Sequence, residues 1–122
     1  MPTILIVDDE LYIRKFLSTF LIHKGYDVIV AEDGHQAIDR FLQESPAAIV
    51  LDLRMPGMDG LTVLKQIRTI NPRQPIIVLT GGTEYETEEQ VRALGVTELV
   101  EKESAVHLLD DALKRVLAAD VS

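Results

Sequence analysis

Short runs of consecutive apolar residues recur along this chain: Ile4-Leu5-Ile6-Val7, Val28-Ile29-Val30-Ala31, Ala47-Ala48-Ile49-Val50-Leu51 and Ile76-Ile77-Val78-Leu79, with a shorter one at Leu99-Val100. Runs of this length, bounded by loop signals, read as strands buried on both faces. They predict strands near 3–7, 26–30, 47–51, 75–79 and 97–101. Between them the apolar period lengthens to that of a helix. It predicts helices near 10–24, 35–44, 60–70, 84–94 and 104–118. Ile13, Leu17, Phe20 and Leu21 fall on one face of the first helix, and Gly25 supplies a left-handed cap at its end. Val106, Leu109, Leu113, Val116 and Leu117 form a broad apolar face on the last. Asp59 reads as the N-cap of the third helix, after the turn Met55-Pro56-Gly57-Met58. Pro72 and Pro75 bracket the loop into the fourth strand.

A (βα)5 alternation with short loops implies an α/β fold: a doubly wound, parallel five-stranded sheet with right-handed crossovers and helices on both faces. The fourth helix is the weak element. Its segment carries Glu84, Glu86, Glu88 and Glu89 but little apolar surface beyond Val91 and Leu94. Two capping boxes compete for its start, Thr83 with Glu86 and Thr87 with Gln90. The acids suit the positive end of a helix dipole. They read either as a solvated face or as a marginal, movable helix.

Bulk properties narrow the function. At 122 residues the chain is expected to be one domain, 1–122, and 47% hydrophobic residues suffice for a core. It has no cysteine, which rules out disulfides and thiolate metal sites. No apolar run approaches the ~20 residues of a membrane helix, and residues 1–7 lack the features of a secretion signal. A soluble cytoplasmic protein with no membrane contact is the expectation. The net charge of −8 counts against nucleic-acid binding by this domain, though not by another domain beyond residue 122.

Candidate chemistry gathers at one sheet edge. Asp8 and Asp9 follow the first apolar run, and Asp52 follows the third. In an open parallel sheet, ligands bind outside the carboxyl ends of the strands, where the strand order reverses. Three carboxylates there would repel one another unless a cation joined them, which suggests a divalent metal held by hard oxygen ligands. Thr80 closes the fourth run and Lys102 follows the fifth strand, which brings a hydroxyl and an ammonium to the same edge. Such a set fits a carboxylate nucleophile that forms an aspartyl phosphate, with the ammonium and hydroxyl binding phosphoryl oxygens. Taken singly, each residue has a plainer reading. An Asp at a strand end is more often a cap or turn former, Thr80 a turn hydroxyl and Lys102 a solvated cation. Taken together at one sheet edge, the five fit a common site. His23, His35 and His107 stand apart from the acids and read as surface or helix residues.

With these residues in place, the chain resembles the response-regulator receiver domain of two-component signalling over nearly its whole length. The resemblance rests on Val7-Asp8-Asp9-Glu10, on the stretch Leu51 to Gly60, on Leu79-Thr80-Gly81 and on Lys102, with Gly25-Tyr26, Ala31, Gly34 and Gly95 also in their usual places. It implies the flavodoxin-like strand order 2-1-3-4-5. It implies that Asp52 is the phosphoacceptor, and that Asp8, Asp9, Asp52 and the backbone carbonyl of Arg54 hold Mg2+. It implies that Thr80 is the switch hydroxyl and that Lys102 contacts the phosphate. The expected function is a phosphorylation-dependent signalling switch. It would receive its phosphoryl group from a sensor histidine kinase or phosphotransfer protein and catalyse only its own phosphorylation and dephosphorylation. It would act on a downstream output domain or protein, or as a homodimer.

Rival functions fit less well. A flavodoxin needs a hydroxyl- and glycine-rich loop after strand 1, where this chain has Asp8-Asp9-Glu10. A haloacid-dehalogenase-like phosphatase wants a general acid two residues after its nucleophile, where this chain has Arg54. The alternative that stays open is a phosphorylation-independent receiver-like interaction module. Two departures from the family bear on the readout. Leu99 stands where the family usually has an aromatic ring, and Glu103 where it has proline after the lysine. A cis bond before a non-proline residue costs about 2.5–4 kcal/mol, so Lys102–Glu103 is expected to be trans. Gly81-Gly82 adds backbone freedom after Thr80. The signal is therefore expected to leave through that loop and the fourth helix rather than through the fifth strand.

Overall fold

The structure is a computed structural model that describes residues 2–55, 60–80, 85–95, 98–101 and 105–121, with backbone alone at 85–88, 105–107 and 119–121. Strand and helix alternate as the apolar pattern requires: β1 (Thr3–Val7), α1 (Leu11–His23), β2 (Asp27–Ala31), α2 (Gly34–Glu44), β3 (Ala48–Asp52), α3 (Gly60–Ile70), β4 (Ile76–Thr80), α4 (Tyr85–Ala93), β5 (Glu98–Glu101) and α5 (Ala105–Val121). The strands form one parallel sheet in the order β2-β1-β3-β4-β5. This is the expected fold. β1 and α3 have the expected bounds; the others shift by one to three residues. β2 starts at Asp27 rather than 26 because the amide of Tyr26 still serves α1, donating to Leu21 O at 3.1 Å. α2 starts at Gly34 because Asp33 caps it, its carboxylate accepting from Gln36 N at 2.9 Å.

Strand residues point alternately to two layers. Leu5, Val7, Ile49, Leu51, Ile76 and Val78 pack with α2, α3 and Val91 of α4. Ile4, Ile6, Val50, Ile77 and Leu79 pack with Leu17 and Leu21 of α1 and with Leu109 and Leu113 of α5. The expected apolar faces of α1 and α5 are therefore the buried ones, with Ile13, Phe20 and Leu117 at their margins; Val106 lies outside the described side chains. No helix among the described residues is long and apolar enough to cross a membrane.

Gly25, at φ 98, ends α1 as anticipated. Its amide donates to Ile22 O at 3.0 Å while Tyr26 N reaches Leu21 O, the paired bonds of a Schellman cap. α2 ends differently, on Ser45 in the left-handed region at φ 46, ψ 61. Thr87 lies inside α4, which excludes the start suggested by Thr87 with Gln90. The Thr83 box, the Asp59 cap, Gly81-Gly82 and the Lys102–Glu103 bond lie outside the described residues.

Gly60 decides how closely α3 approaches the sheet. Its amide donates to Leu53 O at 3.1 Å. A Cβ here would meet the carbonyl oxygen of Asp52 and stand 2.5 Å from the Cα of Leu53. Both are backbone atoms of the β3 end, which cannot rotate aside.

Two expectations follow. Gly60→Ala should destabilise the protein by roughly 1–3 kcal/mol, the usual cost of overpacking, or force the β3 end outward. A denaturant titration with an unchanged midpoint would show that α3 has room to retreat. Ser45→Gly should stabilise by about 0.5–1 kcal/mol, since glycine carries no Cβ penalty in the left-handed region. Thermal melts of the two proteins side by side are the check.

Candidate functional site

The chain runs from β1 outward to β2, then returns across β1 to place β3 on the other side. The strand order reverses there, and in open parallel sheets the carboxyl ends of the strands at such a point are where ligands bind. Val7 pairs with Leu51, so the next residues, Asp8 and Asp52, stand side by side at this edge. Asp52 pairs with Leu79, and Thr80 with Glu101, which continues the row across β4 and β5. Asp8, Asp52 and Thr80 are all buried, at 0%, 2% and 5% exposure.

Strand phase sorts these side chains. Asp8 and Asp52 continue the alternation of Ile4 with Ile6 and of Ala48 with Val50, the layer of α1 and α5. Thr80 continues that of Ile76 and Val78, the layer of α2, α3 and α4. The edge therefore draws acids from one layer and a hydroxyl from the other.

Both buried acids are fixed by the same local device. Asp8 Oδ1 accepts from the amide of Glu10 at 2.9 Å, and Asp52 Oδ1 from the amide of Arg54 at 3.1 Å. Each is an Asp side chain bonded to the backbone two residues on, the turn that Asp favours at a strand end. The turn-former reading and the ligand reading are thus compatible, because the turn orients the carboxylate. Leu53 and Met55, each 8% exposed, flank the exposed Arg54 and sink the β3 loop into the core below α3.

Three neighbouring carboxylates could hold a metal ion, and Asp52 is not one of this group. Asp8, Asp9 and Glu10 each offer an oxygen, and these oxygens lie within 4.8 Å of one another. Hard, anionic oxygens at this spacing suit Mg2+ or Ca2+. Glu10 was not among the acids singled out from sequence. It enters because the turn after Asp8 folds its side chain back toward its neighbours; the Val7–Glu10 run was its only signal. Arg14 was also missed. Its Nη1 donates to the backbone carbonyl of Asp8 at 2.8 Å, and Nη2 lies 3.6 Å from Glu32. The first bond ties the end of β1 to α1; the second is half exposed and contributes little. Gly60 belongs to the site as well, since it sets the backbone of Asp52. Lys102 lies outside the described residues. His23, at the end of α1, and His35, in the first turn of α2, are exposed, and the side chain of His107 is not among those described.

Comparison with known proteins agrees with this geometry. The response regulator receiver domain family matches residues 4–114. The chain is 33% identical to the sporulation initiation phosphotransferase F of Bacillus subtilis over 93% of its own length and 92% of that protein's. It is 35% identical to the regulatory protein AtoC of Escherichia coli, again over 93% of its own length but spanning only 25% of that longer chain. The response regulator protein TrrA of Thermotoga maritima, solved in complex with Mg(2+)-BeF, superposes with a TM-score of 0.86 at 34% identity, covering 95% of this chain and 99% of that one. Fold, edge geometry and relatives converge: the chain belongs to the response regulator receiver domain family, the phosphorylation-dependent switches of two-component signalling.

Proposed function

We propose that Asp52 is the residue that takes the phosphoryl group, with a sensor histidine kinase or a phosphotransfer protein as donor. The observation that carries this reading is the buried Asp52 held beside Asp8 and the Asp8–Asp9–Glu10 carboxylate cluster at the strand-order switch. A carboxylate oxygen of Asp52 attacks the phosphorus, a P–O bond forms, and the P–N bond to the donor imidazole breaks. The bond from Arg54 N already fixes the orientation of Asp52, so little rotational freedom is lost on the way to the transition state. The hydroxyl of Thr80 and the ammonium of Lys102 bind phosphoryl oxygens. Asp8, Asp9 and Asp52 with the carbonyl of Arg54 would hold Mg2+, and Glu10 stands close enough to take part. Bound there, the ion lowers repulsion between the carboxylate and the incoming phosphate. The same groups allow slow hydrolysis of the acyl phosphate, so the domain catalyses only its own phosphorylation and dephosphorylation. Acting in the cytoplasm, it passes the signal to an output domain or partner protein. The short span of AtoC that it matches fits a receiver joined to other domains.

Incubation with a small-molecule phosphodonor and Mg2+ should add one phosphate by intact mass, and Asp52→Asn should remain unlabelled. Equal labelling of the variant would move the acceptor elsewhere.

Metal binding has its own readout. The clustered carboxylates repel one another without a cation, and Mg2+ binds the native state alone, so it should raise the melting temperature by mass action. Asp9→Asn should abolish most of that rise and melt higher than the parent in metal-free buffer. A parent melting curve indifferent to millimolar Mg2+ would remove the metal site from the mechanism.

A further inference from the structure

Arg68, in the last turn of α3, commits its guanidinium to backbone carbonyls. Nε donates to Leu94 O and Nη2 to Gly95 O, both at 2.8 Å. Nη1 donates to Gln74 O at 2.7 Å and more weakly to Asn71 O at 3.4 Å. The first two acceptors are the C-terminal end of α4, and the other two belong to the loop between α3 and β4. The last carbonyls of a helix have no amide to accept from within it and carry the negative end of its dipole. A planar cation with several donors in fixed geometry suits them better than a lysine would. Gly95, at φ 74, makes the turn that lets successive carbonyls reach one guanidinium. Burial lowers the pKa of Arg68 below the ordinary arginine value, a cost that the carbonyls offset.

The clamp matters because the described side chains of α4 give it little other anchorage. Among its described side chains Val91 is buried, and Leu94 just beyond it packs only partly. A helical segment with as few apolar contacts as the described residues 89–93 make opens at low free energy. Its C-terminal end is nevertheless bolted to α3, whereas its other end follows Thr80 in the chain.

We propose that Arg68 is the fixed point about which α4 responds to phosphorylation: the guanidinium holds the C-terminal end in both states, so that displacement is confined to the end nearest Thr80. This rests on the reading of Asp52 as phosphoacceptor and Thr80 as its switch hydroxyl. Arg68 is a positioning residue and touches none of the reacting atoms.

Amide hydrogen exchange tests it, on the parent, Arg68→Met and Arg68→Lys, with and without beryllofluoride and Mg2+. Leu94 N and Gly95 N, which donate to Gln90 O and Arg92 O, are the reporters. Without the phosphoryl mimic, Arg68→Met should exchange at 91–95 at least about tenfold faster, the loss of one charge-assisted hydrogen bond. Arg68→Lys should fall between, and 76–79 should not change. Adding the mimic to the parent should alter exchange at 85–89 more than at 91–95. In Arg68→Met the alteration should spread through 95, while Asp52 still labels within about twofold of the parent rate. If Arg68→Met fails to fold, Arg68→Lys carries the same comparison. Unchanged exchange at 91–95 in the variants would overturn the proposal. So would an acceleration shared equally by β4 and α5, or a parent response as large at 91–95 as at 85–89. A parent that ignores beryllofluoride would sink the phosphoacceptor reading and the pivot together; variants indifferent in a parent that does respond would sink the pivot alone.

Discussion

Asp8 and Asp52 must stay withdrawn from water at the end of a parallel sheet, and most of the structure answers to that requirement. Their side chains are 0% and 2% exposed. A buried carboxylate costs several kcal/mol unless bonded or paired, and Asp9 and Glu10 add like charge within a few ångströms. Such an arrangement persists only on a support that cannot relax. β1 and β3 supply it, as the two strands at the switch point, with every residue from Ile4 to Val7 and from Ala48 to Leu51 fully buried. Separating the acids would break the ladder between these strands and expose both core layers. Asp8 and Asp52 are therefore held together by apolar burial elsewhere, and a divalent cation at the proposed site would find them gathered in advance.

The sheet and its order were legible because buried parallel strands leave an uninterrupted apolar signature, and β1 shows it with the expected bounds. Boundaries were less legible where a residue serves two elements. Tyr26 looks like the first residue of β2, yet its amide completes the cap of α1. Gly34 looks like loop, yet Asp33 captures the first turn of α2 from outside. The left-handed Ser45 had no signal, since serine there gives up what glycine would provide. α4 read as weakly apolar from its charges, and Val91 is its one buried residue among those whose side chains are described.

At the site, position was legible and contact was not. Asp8, Asp52 and Thr80 announce themselves by ending apolar runs, and the sheet does bring them to one edge. The close approach of Gly60 to the carbonyl of Asp52 is a relation between two chain segments, and a glycine alone does not say what it faces. Arg14 and Arg68 were silent for a related reason. Their partners are backbone carbonyls, which every residue has, so side-chain chemistry gives no complement to search for. Arg68 reaches across 26 residues to Leu94, well beyond any helical spacing.

The two layers of the sheet differ in how firmly they are built, and the site straddles them. On the side of Asp8 and Asp52, α1 and α5 bury long apolar faces. On the side of Thr80, the described side chains of α4 contribute one buried valine, and the helix end borrows a guanidinium from α3. On the proposed reading, charge introduced at Asp52 would meet the firmer layer behind it and, across the sheet, one whose described contacts are fewer. An adjustment of Thr80 toward a phosphoryl oxygen would, on the same reading, be absorbed on the α4 side, whose described side chains give the least anchorage. Leu99 pairs with Val78 and packs into that same layer as an aliphatic side chain. It has no ring whose rotation could report a change at Thr80. If Thr80 is the switch hydroxyl, a weakly anchored α4 would favour switching: a helix with the apolar anchorage of α5 would resist the few kcal/mol that differential contacts at one hydroxyl can supply.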